Sequence, residues 1–414
     1  MPDTLAGSVW KEQGDICFSL KKNAGLFQMS ECVDSEAVRV AWVFPTLSSS
    51  SRWQPILAAT RRVLPNTAFF SGFWPGFIPG YENSFQVGEL QGVRSITLRT
   101  RKSGAPSRFF WAPPWVLRDI AKFRPAVIVT NGFTLLTAYL VLLKLTIGCR
   151  IIVLWQGISP ETGGGPRSLR LLFRRLFARH VDLLISNTSE GAEYLLNAVQ
   201  AARHKVVHRV FEVAEREALI GAAMQDGSSH YRSRKPVFLF VGRLIRGKGV
   251  HKLLEACSLL IHKGVDNFSV VIVGEGKHGD EFRRFTNRSG LAPHIQWAGP
   301  VGYKQLGAYY DSCDVFVLPS LEDTWGVVIM EAMTMGKPVL CSARAGVREM
   351  VAHGVNGFIF DPENPSALAD YMESLITDQG LRRQFGAASF EIVRRYTPQN
   401  VAMMFASYFR QLAA

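Results

Sequence analysis

Residues 236–256 read PVFLFVGRLIRGKGVHKLLEA. An unbroken apolar run ends at Gly242, a basic turn built on Gly-Lys-Gly follows, and a helix opens from that turn. A strand that is hydrophobic throughout, rather than alternately, is one covered on both faces. The unit recurs downstream as FSVVIVGEG (268–276), IQWAG (295–299), DVFVLPS (314–320) and KPVLCS (337–342). It also recurs upstream, as VRVAWVF (38–44), AVIVTN (126–131), RIIVLW (150–155) and VDLLISN (181–187), each run followed by an amphipathic stretch. Two such series predict two doubly wound parallel-sheet domains, at 38–211 and 236–390, facing a cleft. The less periodic stretch 212–235 reads as the linker, 391–414 as a C-terminal helical segment, and 1–37 as a poorly ordered extension without the apolar block of a signal peptide.

The bulk numbers agree with this division. A chain of 414 residues exceeds what one ordinary core supports. Six cysteines form no C-x-x-C pair, which favours reduced thiols in a cytoplasmic protein. The net charge of +13 is lopsided: residues 1–210 carry 25 Lys and Arg against 13 Asp and Glu, whereas residues 211–414 carry 22 against 21. One half therefore faces an anionic partner. No nucleic-acid-binding pattern accompanies the charge, so a membrane surface or a phosphate-bearing acceptor fits better. The apolar run 133–155 is interrupted by Lys144, Gly148 and Arg150. It predicts a helix at 134–146, a turn at Gly148 and a buried strand at 150–154 rather than a span, because a charge near the bilayer centre costs about 2.5–3.5 kcal/mol.

Order and spacing of FLFVGRLIRGKGVHKLLEA, VVIVGEG, YYDSCDVFVLPSLEDTWGVVIMEAM, GKPVLCSARAGVREMV and GVNGFIFDPENPSALAD resemble the second domain of the retaining glycosyltransferases of family 4, which have the two-Rossmann GT-B fold. The resemblance is strong over 236–400 and looser over 38–210. It implies that the second domain binds a nucleotide-diphosphate sugar and the first an acceptor. Arg243 and Lys248, delivered after Gly242 at the carboxyl edge of a strand, would hold the diphosphate and stabilise the departing nucleotide. Arg grips two oxygens at once, and Lys supplies a mobile charge.

In LPSLEDTWGVVIMEAMTMGKPVL (318–340) the helix is predicted from about Trp325 to Met335. Backbone N–H groups of Gly326, Val327 and Val328 at its start offer a seat for an anion. The family's Glu-x7-Glu signature places Glu331 on the ribose hydroxyls and Asp323 in the first acidic position. The neighbouring Glu322 competes for that role, and a simple helix cap is the alternative for Asp323. Glu349 matches the family's Gly-x-x-Glu turn. The GEG at 274–276 lacks a third Gly, so a dinucleotide-binding oxidoreductase is the poorer reading.

The acceptor half departs from the pattern. PTLSSSSRW (45–53) stands where many relatives carry a Gly-rich loop, leaving serines such as Ser49 to donate hydrogen bonds. Gln156 stands where many carry His, and an amide cannot transport a proton. Without Asp-x-Asp or a His/Cys cluster, neither metal nor cofactor is expected. On the helix 167–179, Arg167, Arg170, Arg174, Arg175 and Arg179 cover one side and Leu169, Leu172, Phe173, Leu176 and Phe177 most of the other. That is either a core-packed helix with a solvated basic face or one that rests on an anionic membrane or a lipid-linked pyrophosphate. The expectation is a cytoplasmic glycosyltransferase, peripheral on the inner membrane face, acting in cell-surface polysaccharide or lipid-linked glycan synthesis. A catalytically silent nucleotide-sugar-binding protein and a GT-B-type sugar-nucleotide epimerase are the alternatives.

Overall fold

The computed structural model describes residues 38–47, 50–78, 80–100, 106–157, 168–226 and 236–414. The extension 1–37 and Ser49 lie outside them, as do Arg167 and the last nine residues of the stretch read as linker. The first domain runs β1 (Val40–Phe44), α1 (Ser50–Val63), β2 (Thr67–Ser71), β3 (Val87–Glu89), β4 (Arg94–Thr100), β5 (Pro106–Trp111), α2 (Leu117–Phe123), β6 (Val127–Asn131), α3 (Leu135–Ile147), β7 (Arg150–Trp155), α4 (Leu169–Ala178), β8 (Leu183–Ser186), α5 (Ser189–Asn197) and β9 (Val206–His208). Seven of its strands form a sheet in the order β3-β2-β1-β6-β7-β8-β9, with parallel pairing throughout, while β4 and β5 pair separately.

After α6 (Arg216–Asp226), the second domain runs β10 (Val237–Val241), α7 (Val250–His262), β11 (Ser269–Val273), α8 (Gly279–Arg288), β12 (Ile295–Gly299), α9 (Tyr303–Ser312), β13 (Val315–Leu318), α10 (Val327–Thr334), β14 (Val339–Ser342), β15 (Gly357–Phe360), α11 (Pro365–Thr377), α12 (Gln379–Val393) and α13 (Pro398–Ala413). Its six strands are ordered β12-β11-β10-β13-β14-β15, again parallel. The order reverses between β1 and β6 in one sheet and between β10 and β13 in the other. Ligands of such sheets gather outside the carboxyl ends of the strands at that reversal.

The apolar run 133–155 folds as its punctuation predicted. Thr134 caps α3 in a capping box with Thr137, Gly148 ends it at φ 71°, and β7 follows with five buried residues in succession. No described helix is long and apolar enough to cross a membrane.

Two local expectations are corrected. The helix of the acidic motif begins at Val327, not Trp325, because Gly326 adopts φ 99° and turns the chain. Trp325 is thereby driven into the core, its indole N–H donating to the Glu212 carbonyl at 3.0 Å. On α4 the arginines do not share one solvated face. Arg174 is buried with Leu171 and Ala178, donating to the Tyr194 hydroxyl at 2.5 Å and lying 4.9 Å from the Trp155 ring. Leu169, Leu172 and Leu176 are exposed instead. A guanidinium given a hydroxyl and two aromatic rings is tolerated inside, which rotates the helix against its simple pattern.

The chain also crosses back at its end. The last helix, α13, packs on α1 of the first domain, with Phe405 and Phe409 edge-on to Trp42 at ring-centroid distances of 5.0 and 6.0 Å. Just before α6, Glu215 accepts a hydrogen bond from the Tyr81 hydroxyl while its Oε2 is buried without a partner. Burial, with Glu217 adding to it and Arg62 opposing, pushes its carboxyl up to about 7. A raised folded-state value means that the contribution to stability is full below the unfolded value, about 4.3, and is lost as pH rises through 7. Glu215→Gln should therefore raise the melting temperature at pH 8 and leave it nearly unchanged at pH 4. An equal shift at pH 4 and pH 8 in a thermal melt would contradict this.

Candidate active site

The two motifs read separately in the sequence interlock in space. After β10, the Gly242 N–H donates to the Val273 carbonyl at 3.0 Å, and Arg243 emerges exposed at the sheet edge. The next residues close a 3-10 turn, Arg246–Lys248, ended by Gly249 at φ 70°. A Cβ on Gly249 would lie 1.8 Å from the Pro319 carbonyl oxygen, so only glycine permits the approach. The Gly247 carbonyl in turn accepts from the N–H groups of Leu321 and Glu322, at 2.9 and 3.1 Å. This clasp sets the Lys248 ammonium 2.5 Å from Asp323 Oδ2, with both side chains largely buried. Asp323 is thus no helix cap: α10 has no side-chain cap, and the carboxylate holds Lys248.

Gly326, Val327 and Val328 head α10. One turn on, Glu331 is buried, and its Oε2 accepts from the Tyr310 hydroxyl at 2.6 Å. Burial and the Glu331 charge hold Tyr310 well above the ordinary phenol value, so it stays a neutral donor. Tyr310 stands within a quoted motif but was given no role in the sequence, because its contact with Glu331 spans 21 residues. Arg243 also lines a cavity of about 610 Å³ walled by Leu244, Gly274, Glu275, Gly276 and Arg283. The GEG turn that fails as a dinucleotide fingerprint is one of its walls.

The first domain meets this edge closely. Gln156 follows β7 and donates from Nε2 to the Glu212 carboxylate, which is buried. The neighbouring Gly157 has φ 140°, and a Cβ there would lie 2.6 Å from the Thr324 carbonyl. The Gln156–Glu212 pair therefore borders Thr324 and Trp325, the two residues that follow Asp323. Glu212 was hidden from sequence reasoning because it opens the stretch read as linker.

Glu349 reaches across the domains. It accepts from the Ser189 N–H and hydroxyl at 2.8 and 2.5 Å, and lies 3.2 Å from His208 Nε2. Burial pushes this carboxyl up, but the nearby His208 ring and the hydrogen bonds from Ser189 outweigh burial and the net shift is downward. Next to it, Arg348 pairs with Glu190 at 2.5 Å. Among the described residues, no three His, Cys, Asp or Glu side chains cluster as metal ligands would.

Two parallel α/β domains, each with the strand-order reversal of a doubly wound sheet, have the GT-B fold, and glycosyltransferase family models match the two halves of the chain. The family model for glycosyl transferases group 1 matches residues 225–391, and that for the glycosyl transferase 4-like domain matches 75–209. The fold is shared with Anabaena HepE, solved in complex with UDP, at TM-score 0.70 and 16% identity over 90% of this chain and 100% of that one. It is shared equally with a glycosyltransferase from Rickettsia africae, at TM-score 0.72 and 15% identity over 91% and 98% of the two chains. In sequence the chain is 30% identical over 179 residues to the D-inositol 3-phosphate glycosyltransferase of Corynebacterium urealyticum, a match covering 42% of each. The match thus spans about two fifths of that relative's length.

Proposed function

We propose that the protein transfers a sugar from a nucleotide-diphosphate sugar to an acceptor held by the first domain, with retention at the anomeric carbon. The observation that carries this reading is the Lys248–Asp323 pair, which shares with the Arg243 cavity the strand-order reversal of the second sheet, where Gly157 of the first domain packs on Thr324. An ammonium has three N–H donors, so Asp323 occupies one and leaves two for phosphate oxygens. Arg243 supplies the second cation, and the cavity walled by the GEG turn accommodates the nucleoside. A carboxylate accepts at about four lone-pair positions, so the Tyr310 contact to Glu331 is compatible with ribose hydroxyls as further donors.

In the transfer, the bond from the anomeric carbon to the diphosphate oxygen breaks and a bond to the acceptor oxygen forms on the same face. The acceptor proton passes to the departing diphosphate. Arg243 and Lys248 neutralise the charge that develops there, so neither metal nor cofactor is required. Asp323 keeps Lys248 aimed, and Glu322 is the reserve for that first acidic role. HepE, with its bound UDP, supports a nucleotide as the ligand class. A thermal-shift panel of nucleotide-diphosphate sugars tests donor binding, since a ligand at 100 times its dissociation constant stabilises by about 2.7 kcal/mol.

Gln156 takes its orientation from Glu212. A carboxylate only accepts, so it draws the amide N–H toward itself and turns the carbonyl oxygen away, where it accepts from a sugar hydroxyl. Glu212→Gln replaces a charged hydrogen bond by a neutral one, a loss of about 1 kcal/mol, or about fivefold in kcat/KM. In a double-mutant cycle, Gln156→Ala and Glu212→Ala should be strongly non-additive. Simple addition of the two effects would remove the coupling.

The acceptor is proposed to be a lipid-linked or cell-surface glycan approached from the cytoplasmic side. The +12 balance of residues 1–210 supports work at an anionic membrane surface.

A further inference from the structure

The ribbon β4–β5 belongs to neither main sheet and plays no part in the donor site. Its register sets Ile96 opposite Phe109, Arg94 opposite Trp111 and Ser95 opposite Phe110, with a bulge at Leu98. Residues opposed in an antiparallel pair share a face, and successive residues alternate, so the ribbon has two distinct faces. On the inner face, Ser95, Thr97 and Phe110 line a cavity of about 530 Å³ together with Thr46 and Phe73. Those last two residues follow β1 and β2, so this cavity opens at the carboxyl edge of the first sheet. On the outer face, Ile96, Leu98, Phe109 and Trp111 are 40–62% exposed.

Four large apolar side chains on one side of an isolated ribbon form a surface that water covers poorly. The exposure continues beyond it. Trp115, just after β5, is also exposed, and α3, which packs against β5, exposes Leu142 and Leu145. Residues 94–111 include five Lys and Arg and no Asp or Glu. Of these, Arg94 lies opposite Trp111 on the outer face, and tryptophan beside a cationic residue on an aliphatic patch is a composition that settles at an anionic lipid–water interface.

We propose that the outer face of the β4–β5 ribbon docks on an anionic lipid surface, so that the cavity on its inner face receives the polar head of a membrane-borne acceptor. The proposal rests on the glycosyltransferase reading for the acceptor and not for the docking. It differs from attachment through α4, whose basic face is broken by the burial of Arg174.

The test is flotation of the full chain with vesicles of phosphatidylglycerol and phosphatidylcholine, or of phosphatidylcholine alone, at low and high salt. The wild type should float with the anionic vesicles at low salt. Leu98→Glu combined with Trp111→Glu should cut the bound fraction at least tenfold. Leu172→Glu combined with Leu176→Glu, on α4, should retain most of the binding. The thermal shift produced by UDP or GDP should be the same in the ribbon variant as in the wild type, reporting an intact fold and donor site. Absence of that shift from both proteins would count against the donor-site reading alone and leave the flotation result standing. The docking proposal is overturned if the wild type stays with the soluble fraction or if the ribbon variant floats like the wild type. It is equally overturned if the α4 variant alone loses binding, or if sedimentation shows a dimer that the ribbon substitutions dissociate, assigning the face to a second copy.

Discussion

Lys248→Ala should lower kcat/KM by about 30-fold to 1000-fold in a chain that still folds, at a melting temperature lowered by the uncompensated Asp323 carboxylate. The lost contact is a charge-assisted one in a shielded site, for which about 2–4 kcal/mol of transition-state stabilisation is expected. Its partner explains why the fold survives. Asp323 keeps its backbone pairing with Ala345, and the Gly247 carbonyl keeps the N–H groups of Leu321 and Glu322. The substitution therefore removes the ammonium without undoing the clasp that placed it. The loss should appear mainly in kcat, since in the proposed mechanism the charge it answers develops as the diphosphate departs. Asp323→Ala frees the ammonium to swing and has the smaller effect of the two. Kinetics of Lys248→Ala within threefold of the wild type would remove Lys248 from the site.

Glu331→Gln has an effect of similar size, about 30-fold to 1000-fold, by a different route. The amide carbonyl can still accept from the Tyr310 hydroxyl, so the buried contact at 2.6 Å has a neutral substitute and packing is retained. What disappears is the negative charge to which ribose hydroxyls would donate, so the loss should fall on donor KM as well as on kcat. Tyr310→Phe separates the two roles. It removes the buried donor and leaves the carboxylate, and its effect should be several-fold smaller. Equal losses in Glu331→Gln and Tyr310→Phe would make the pair a structural one and take Glu331 out of donor binding.

Legibility in the sequence followed the range of the interactions. β10, β13 and β7 were visible because a strand buried on both faces needs no partner to be recognised. Arg243, Lys248 and Glu331 were singled out by the family resemblance, whose motifs set each one just after such a strand or in the helix that follows it. What escaped depends on partners distant in the chain. Glu212 acquires meaning only from Gln156, 56 residues earlier, and from Trp325, 113 residues later. Arg174 looked like one more surface charge until Trp155 and Tyr194 enclosed it. The β4–β5 ribbon escaped because its alternation marks a two-faced strand, but not which face water would be left to cover. The crossing of α13 back to Trp42 escaped for the same reason: a helix pattern names its apolar face, not the surface that face meets.

The most direct measurement is turnover with a panel of nucleotide-diphosphate sugars and lipid-linked or soluble glycan acceptors. It should follow free nucleotide diphosphate, together with the anomeric configuration of the product by proton NMR. The expected result is release of the diphosphate with at least one donor–acceptor pair, a product anomer matching that of the donor, and collapse of both signals in Lys248→Ala. Inversion at the anomeric carbon would contradict the proposed proton transfer to the leaving diphosphate. Binding of a nucleotide sugar without release in any pairing would contradict the transferase itself.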